Sequence, residues 1–205
     1  MGKRQESALE TKKKIIVAMR SLLEEKSADQ IGIEDITTRA GVAKGSFYTY
    51  FKRKEDVISV VALECYDGMK GSVGQSVGDV HQQLSSYLMD SARIIDKNTL
   101  QIAQNWMKSV VAPIDGEHDG AVKYHFDCDN IKEILEQAVL AGELGEDTPV
   151  EIMAEQFVNY EFGTVAAWCI TGGKTDLIGS MDRFCRCGLK EMLQPYKKTV
   201  EEENA

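Results

Sequence analysis

The fold of this chain is decided by residues Gly32 to Phe51, which read GIEDITTRAGVAKGSFYTYF. Apolar or small residues recur at spacings of three and four between Ile33 and Ala40, and this spacing predicts one face of a short helix. Gly41 follows directly, and glycine is the residue that most often closes a helix with a positive φ. We therefore expect two short helices joined by a tight turn.

The second helix of this pair is expected to begin near Ala43 or Lys44. Phe47 and Phe51 lie four residues apart, so they share the inner face of that helix. The other residues are small, hydroxylated or cationic and fall on its outer face: Lys44, Gly45, Ser46, Tyr48, Thr49 and Tyr50. Such a surface can fit the major groove of DNA and present hydrogen-bond donors to bases and phosphates, as the second helix of a helix-turn-helix does.

Residues 40–56, AGVAKGSFYTYFKRKED, resemble the signature of the TetR family of transcriptional regulators, and the preceding Asp35-Ile36 also matches it. The resemblance implies that Lys54, at the start of the next helix, contacts a phosphate. It also implies an all-α fold with an N-terminal three-helix helix-turn-helix DNA-binding domain and a C-terminal helical ligand-binding and dimerisation domain. Two positions depart from the family pattern: Gly32 replaces a capping Ser or Thr, and Thr37 replaces an alanine. The glycine puts a phosphate contact from a capping hydroxyl in doubt.

The charge distribution agrees with a DNA-binding head. The chain of 205 residues carries a net charge of −9, yet residues 1–56 hold 12 Lys and Arg against 9 Asp and Glu. The remainder holds 12 basic residues against 24 acidic ones. A mildly basic head on an acidic body directs the head toward phosphate. No apolar run is long enough for a transmembrane helix and no secretory signal is recognised, so we expect a cytoplasmic protein without a membrane partner.

Glycines and prolines divide the chain into four predicted segments. These are a helix-turn-helix domain at 1–53, a connecting helix with a Gly-rich loop at 54–78, a helical effector-binding and dimerisation domain at 79–196, and a charged, disordered tail at 197–205. Within the third segment we expect helices at about 80–97, 98–111, 121–141, 147–170 and 176–194, separated by loops.

The C-terminal domain is expected to hold both the effector and the dimer contacts. By resemblance, the last helices form a bundle with those of a second subunit, and small residues that permit close helix approach are Gly163, Ala167 and Gly188. A homodimer of this kind would recognise a palindromic operator in double-stranded DNA. Aromatic and methionine side chains suit an apolar or aromatic small-molecule effector, and the candidates are Tyr87, Trp106, Met107, Tyr124, Phe126, Tyr160 and Phe162.

Other functions receive weaker support from the sequence. Cys185 and Cys187 flank Arg186, so a redox-responsive regulator stays open as an alternative. His125 and Asp129 have a helical spacing but form only one pair, so no metal site and no cofactor are predicted. No P-loop, nucleophile elbow or dinucleotide fingerprint is recognised, so we expect a protein that is not an enzyme. A helical interaction or enzyme module that no longer binds DNA is the remaining alternative.

Overall fold

A computed structural model describes the backbone of residues 3–67, 77–111 and 119–198. The described residues are helical, and they contain an isolated bridge between Leu144 and Lys197 but no β-strand. The predicted all-α fold is therefore confirmed. Packing divides the chain into two compact units, which are Met1–Asp67 with Asn98–Asp119, and Gly68–Lys97 with Gly120–Ala205.

The α-helices are numbered in chain order. They are α1 (Lys3–Glu25), α2 (Ile33–Ala40), α3 (Lys44–Tyr50), α4 (Lys54–Asp67), α5 (Val80–Lys97), α6 (Leu100–Val111), α7 (Asp119–Leu140), α8 (Val150–Ile170), α9 (Leu177–Arg183) and α10 (Lys190–Leu193). A 3₁₀ turn, Ala28–Gln30, precedes α2, and a π-helical stretch, Phe184–Leu189, joins α9 to α10.

The first unit packs α1, α2, α3 and α4 around one apolar core, and α6 packs against α4. The core side chains come from every one of these helices and include Ile15, Met19, Leu23, Ile36, Phe47, Val57 and Trp106. Burial of each such side chain stabilises the unit by about 1.5–3 kcal/mol. This core holds α2 and α3 in place, while the outer face of α3 stays exposed.

The second unit is built from α5, α7, α8 and the C-terminal helical segment. Its core is formed by large apolar side chains, among them Leu84, Leu88, Ile131, Leu135, Phe157, Met181 and Leu189. The structure places α9 and the π-helical stretch against α5, and α8 against α9. All of these helices have an apolar face, as the sequence predicts, and these faces meet in the core.

Two helices differ in detail from the sequence-based expectation. The helix expected to begin at 147 begins at Val150, because Pro149 is its N-cap and the Thr148 hydroxyl donates to the Gly145 carbonyl over 2.6 Å. The helix expected over 176–194 is capped by Asp176, whose carboxylate accepts from the Gly179 amide at 2.8 Å, and it runs from Leu177 to Leu193 with a π-helical middle at Phe184–Leu189. The π-helical stretch adds a residue to one turn, which spacing rules based on 3.6 residues per turn do not detect.

Other predictions concern residues on which the structure gives little information. Most of the Gly-rich loop and of the charged tail lies outside the described residues, which include only Val77 and Gly78 of the loop and Lys197 and Lys198 of the tail. The three boundaries between the four predicted segments therefore remain predictions. The structure does place α6 in the first unit with α4, although its residues fall within the predicted effector domain.

Candidate DNA-binding surface and effector site

The turn between α2 and α3 is fixed by a left-handed glycine. Gly41 has φ 65° and ψ 37°, and its amide donates to the Thr38 carbonyl at 3.2 Å. The Val42 amide donates to the Thr37 carbonyl at 3.0 Å. These bonds satisfy the last carbonyls of α2, and the glycine avoids the steric penalty that a Cβ meets at positive φ. The sequence predicted this turn correctly.

The orientation of α3 follows from two buried phenylalanines. Phe47 is fully buried and Phe51 nearly so, with ring centroids 5.9 Å apart. Tyr48 contacts the edge of Phe47 at a centroid distance of 5.6 Å but keeps 52% of its surface exposed. Because Phe47 and Phe51 turn one face of α3 inward, the opposite face is available to an external partner.

The predicted contact residues lie on or beside this outer face. Lys44, Gly45, Tyr48 and Thr49 are exposed, and Ser46 and Tyr50 are half-buried. No heavy atom lies within 4 Å of the position that a Cβ on Gly45 would occupy. The structure therefore leaves room above the first turn of α3 for a close approach of another molecule. The contact of these residues with DNA remains a prediction.

Lys44 is paired with a carboxylate on the neighbouring helix. Its Nζ lies 2.9 Å from Glu34 Oε1, and both side chains are largely exposed. The hydrogen bond to Glu34 raises the pKa of Lys44, so the lysine is cationic at neutral pH. An exposed pair of this kind contributes little to stability, so Lys44 can exchange its carboxylate partner for a phosphate at low cost.

Lys54 has a structural role that the sequence did not predict. Its Nζ donates to the carbonyls of Ala28 and Ile31 at 2.7 and 2.9 Å, which ties the start of α4 to the segment before α2. An ammonium group has three N–H donors, so two of the three are used within the head. The predicted phosphate contact remains a prediction.

The start of α2 is capped without a hydroxyl. The Asp35 carboxylate accepts from the Gly32 amide at 2.8 Å and from Lys26 Nζ at 2.9 Å. The Gly32 amide, with a further contribution from Lys26, holds the pKa of Asp35 below its ordinary value. A complete capping box has two hydrogen bonds, and Asp35, the third residue of α2, makes one of them by accepting from the amide of the cap residue Gly32. Gly32 provides no hydroxyl for the other hydrogen bond, in agreement with the sequence-based expectation.

The second unit contains a buried polar cluster that the sequence analysis missed. The cluster consists of Ser91, Lys123, Asp127 and Glu161, none of which is more than 4% exposed, together with Tyr87 at 5%. Lys123 Nζ bonds to Asp127 Oδ2 and lies 3.5 Å from Glu161 Oε1. Ser91 donates to Glu161 Oε1, and Tyr87 donates to Asp127 Oδ1 at 2.7 Å.

Burial controls the protonation of this cluster. Burial raises the pKa of Glu161; the neighbouring Asp127 raises it further, and Lys123 opposes both effects. Burial alone would lower the pKa of Lys123, but the two carboxylates outweigh it, and the pKa is raised. The cluster therefore combines a Lys123 whose pKa is raised by two carboxylates with a Glu161 whose own pKa is raised by burial.

Comparison with known proteins shows which family this geometry resembles. Residues 15–61, which include α2 and α3, match the sequence model of "Bacterial regulatory proteins, tetR family". The chain is 25% identical over 183 residues to the fatty acid metabolism regulator protein of Bacillus subtilis, covering 80% of this chain and 86% of that protein.

Through residues 15–61 this chain resembles the TetR family. Solved structures show that its fold is shared by TetR regulators. TylP from Streptomyces fradiae has a TM-score of 0.65 at 22% identity, covering 94% of this chain and 89% of that one. FadR from Bacillus subtilis, solved with stearoyl-CoA, has a TM-score of 0.64 at 18% identity, covering 88% of this chain and 96% of that one.

The predicted effector residues are distributed over both units. In the second unit, Tyr124 and Phe162 are in edge-to-face contact at a centroid distance of 5.6 Å. Tyr160 instead stacks on Phe184 at 3.7 Å, and Phe126 is half-buried on α7. Tyr87 belongs to the buried polar cluster. The remaining two, Trp106 and Met107, lie on α6 in the first unit, where Trp106 is buried.

One face of α8 is apolar or small and yet exposed. Ile152, Tyr160, Gly163, Ala167 and Ile170 follow one another at spacings of three, four or eight residues, and Ile170 is 83% exposed. No heavy atom lies within 4 Å of a Cβ placed on Gly163. Two of the three predicted dimer residues therefore lie on this exposed face of α8.

Gly188, the third predicted dimer residue, has an intramolecular constraint. A Cβ at this half-buried position of the π-helical stretch would lie 2.6 Å from the Phe184 ring. Glycine is therefore needed here for packing within the chain, whether or not a second subunit contacts it.

Three further features of the described part of the chain concern redox chemistry, metal binding and membrane spanning. Cys185 is buried, which raises the pKa of its thiol, while Cys187 is exposed. A high thiol pKa disfavours the thiolate that a redox sensor requires. No group of three or more His, Cys, Asp or Glu side chains among the described residues could hold a metal ion. None of the helices described is both long and apolar enough to span a membrane.

Proposed function

We propose that this chain is a homodimeric, ligand-responsive transcriptional repressor that binds a palindromic operator in double-stranded DNA. The observation that carries this proposal is the outward face of α3, which the buried Phe47 and Phe51 leave free. Lys44, Gly45, Ser46, Tyr48, Thr49 and Tyr50 enter the major groove, and Lys54 uses its third N–H on a phosphate.

In the proposed homodimer, the second subunit provides a second DNA-binding surface. The exposed face of α8, with Gly163 and Ala167 at its centre, packs against the same face of a second copy, and the Gly188 segment adjoins it. A two-fold dimer presents two α3 helices to half-sites about 34–36 Å apart, or one further turn of DNA beyond that. The exposed Ile170 provides apolar area that is otherwise in contact with water.

The second unit binds a small effector with an apolar or aromatic body. The relative FadR was solved with stearoyl-CoA, which has a long apolar chain, and Tyr124 and Phe162 supply aromatic surface here. An effector that favours the DNA-free state by about 1–3 kcal/mol is sufficient to release the operator. The protein acts in the cytoplasm and has no catalytic activity of its own.

The test is binding to the DNA immediately upstream of its own gene, measured by fluorescence anisotropy over a series of salt concentrations. The variants are Tyr48→Phe and Tyr48→Ala, and Tyr124→Phe is the matched control in the other unit. We expect tight, salt-sensitive binding by the wild type, weaker binding by both Tyr48 variants, and no effect of the control.

The two Tyr48 variants distinguish a lost hydroxyl from a lost ring. The phenylalanine variant keeps the edge contact with Phe47, so any loss of affinity reports the hydroxyl, while the alanine variant also removes the contact area. A native wild-type protein that binds neither this DNA nor any sequence selected from a random library above its non-specific level would refute the proposed function.

A further inference from the structure

The buried polar cluster of the second unit carries a large desolvation cost. It removes three ionisable side chains from water, namely Lys123, Asp127 and Glu161. Apolar side chains of similar volume often stabilise a protein as well as, or better than, a buried ion pair or triad. Burial of Lys123 between two carboxylates therefore requires a reason other than stability of the helical unit.

One atom of the cluster has no partner. Among the described residues, nothing donates to or accepts from Glu161 Oε2, although this atom is buried. Its companion Oε1 already accepts from Ser91 and faces Lys123. A buried carboxyl oxygen without a hydrogen-bond partner destabilises the folded state. A further hydrogen-bond donor would therefore bind most favourably at Glu161 Oε2.

The chemistry of that further group follows from the charges around it. Lys123 is already bonded to Asp127, so a ligand carboxylate would have to compete with Asp127 and would be repelled by Glu161. A protonated amine would be attracted instead of repelled. It can donate an N–H to Glu161 Oε2, and its positive charge balances the Glu161 carboxylate, since Lys123 is already paired with Asp127. Hydrogen bonds between an ammonium and a carboxylate are among the stronger ones in proteins.

Aromatic side chains lie beside the cluster and could contact the apolar body of an amine. The Phe162 ring centroid lies 5.4 Å from Lys123 Nζ, within the range of cation–π attraction, and the ring also contacts Tyr124. Ser91, Lys123 and Glu161 come from α5, α7 and α8 respectively. A ligand bound at this point therefore bears on three helices of the unit at once.

We propose that Glu161, supported by Ser91 and Lys123, binds the ammonium group of a primary amine with an apolar or aromatic body, and that this amine is the effector. The inference rests on the proposed function, because it specifies the ligand class to which that regulator responds. Glu161 is the binding residue, while Ser91 and Lys123 position its carboxylate.

The first experiment measures ligand binding without DNA, by isothermal titration calorimetry on the full chain. The probes share one body and differ in the polar group: phenylpropylammonium, its trimethylated derivative, phenylpropanol and phenylpropanoate. The variants are Glu161→Gln, which keeps the shape and removes the charge, and Glu155→Gln, which removes an exposed carboxylate from the same helix. Circular dichroism and thermal unfolding confirm that each variant is folded.

We expect the primary ammonium to bind more tightly than the other probes, because only it combines charge with N–H donors. Glu161→Gln should weaken its binding by roughly 10- to 100-fold, the equivalent of one charge-assisted hydrogen bond. Glu155→Gln should leave it unchanged.

Three results would overturn the inference. Tighter binding of phenylpropanoate than of phenylpropylammonium, lost in Lys123→Met, would make the cluster an anion site. Equal binding by wild type and Glu161→Gln would remove Glu161 from the site. If no probe binds, and if Glu161→Gln is folded but differs from the wild type only in stability, the cluster has a purely structural role.

The second experiment separates this inference from the proposed function. Phenylpropylammonium is added to the complex of wild-type protein with its upstream DNA, and to the same complex of Glu161→Gln. Release of DNA from the wild type alone supports both proposals. If the protein binds DNA and the amine fails to release it, the inference fails and the regulator stands. If the amine binds but no DNA does, the proposed function fails and the binding site stands.

Discussion

Gly45→Ala should stabilise the free protein and weaken its binding to DNA. No heavy atom lies within 4 Å of the added Cβ, so the substitution is sterically free in the absence of a partner. Alanine in place of a helical glycine contributes about 0.5–1 kcal/mol, because it restricts the unfolded chain and favours the helix. The first turn of α3 should therefore become more stable.

The effect on DNA binding has the opposite sign. If the outer face of α3 lies against DNA, the added methyl group occupies space that the complex needs. Inserting a methyl group into a well-packed contact typically costs about 1–3 kcal/mol. That cost corresponds to a loss of affinity of roughly 5- to 150-fold. A gain in stability combined with a loss of DNA affinity cannot come from damage to the fold.

Gly41→Ala is the matched control, four residues away. This glycine also has no heavy atom within 4 Å of an added Cβ, but its φ of 65° is unfavourable for alanine. The strain should lower the free energy of unfolding by about 1–2 kcal/mol. The two variants therefore add the same group in open space and differ in the sign of their effect on stability.

Both quantities are measured on the same preparations. Urea unfolding followed by circular dichroism gives the midpoint concentration at a fixed protein concentration, because dimerisation makes stability concentration-dependent. Anisotropy with the upstream DNA gives the dissociation constant. An unchanged dissociation constant for a stabilised Gly45→Ala would show that this turn of α3 does not approach DNA, and would refute the docking of α3 proposed above.

Three further substitutions or reactions test other parts of the structure. Gly32→Ser should supply the missing capping hydroxyl and raise the free energy of unfolding by roughly a few tenths of a kcal/mol in urea titrations, since an added side chain meets only ordinary contacts there. Ile170→Glu should convert the dimer to a monomer in size-exclusion chromatography with light scattering, whereas Val17→Glu, an exposed apolar position on α1, should not; a dimer in both would place the interface elsewhere. Burial raises the pKa of the Cys169 thiol to about 11, so at pH 8 only roughly a thousandth of it is thiolate, and iodoacetamide should label the exposed Cys187 first in a mass-spectrometric time course.

The part of the fold that the sequence predicted well is the part decided by local rules. Gly41 is needed for a positive φ directly after α2, and Phe47 and Phe51 are placed on one face by their spacing alone. These features depend on neighbours within a few residues, so the pattern suffices to place them. The turn, the inner face of α3 and its outer face were therefore all predicted correctly.

Packing between distant helices was less accessible to prediction. Trp106 was expected among the effector residues because it is aromatic, but α6 packs against α4 in the first unit. Gly188 was expected at a dimer contact because it is small, and this stays a prediction; the Phe184 ring, four residues earlier, also excludes a Cβ there. For Trp106 the residue type was recognised from the sequence, but the helix against which it packs is decided by tertiary contacts that no local spacing encodes.

The buried cluster illustrates the same limit, although it left a partial signal. Lys123 and Asp127 are four residues apart, which predicts an ion pair on one helix face, and Glu161 interrupts the apolar run of α8. Spacing along a helix cannot show that α5, α7 and α8 bring Ser91, Lys123 and Glu161 to one point. A lone carboxylate within an apolar helix face must find a partner or keep its proton, since an unpaired charge is very costly in an apolar interior. Such a residue is therefore a useful indication of a site even when its partners cannot be named from the sequence.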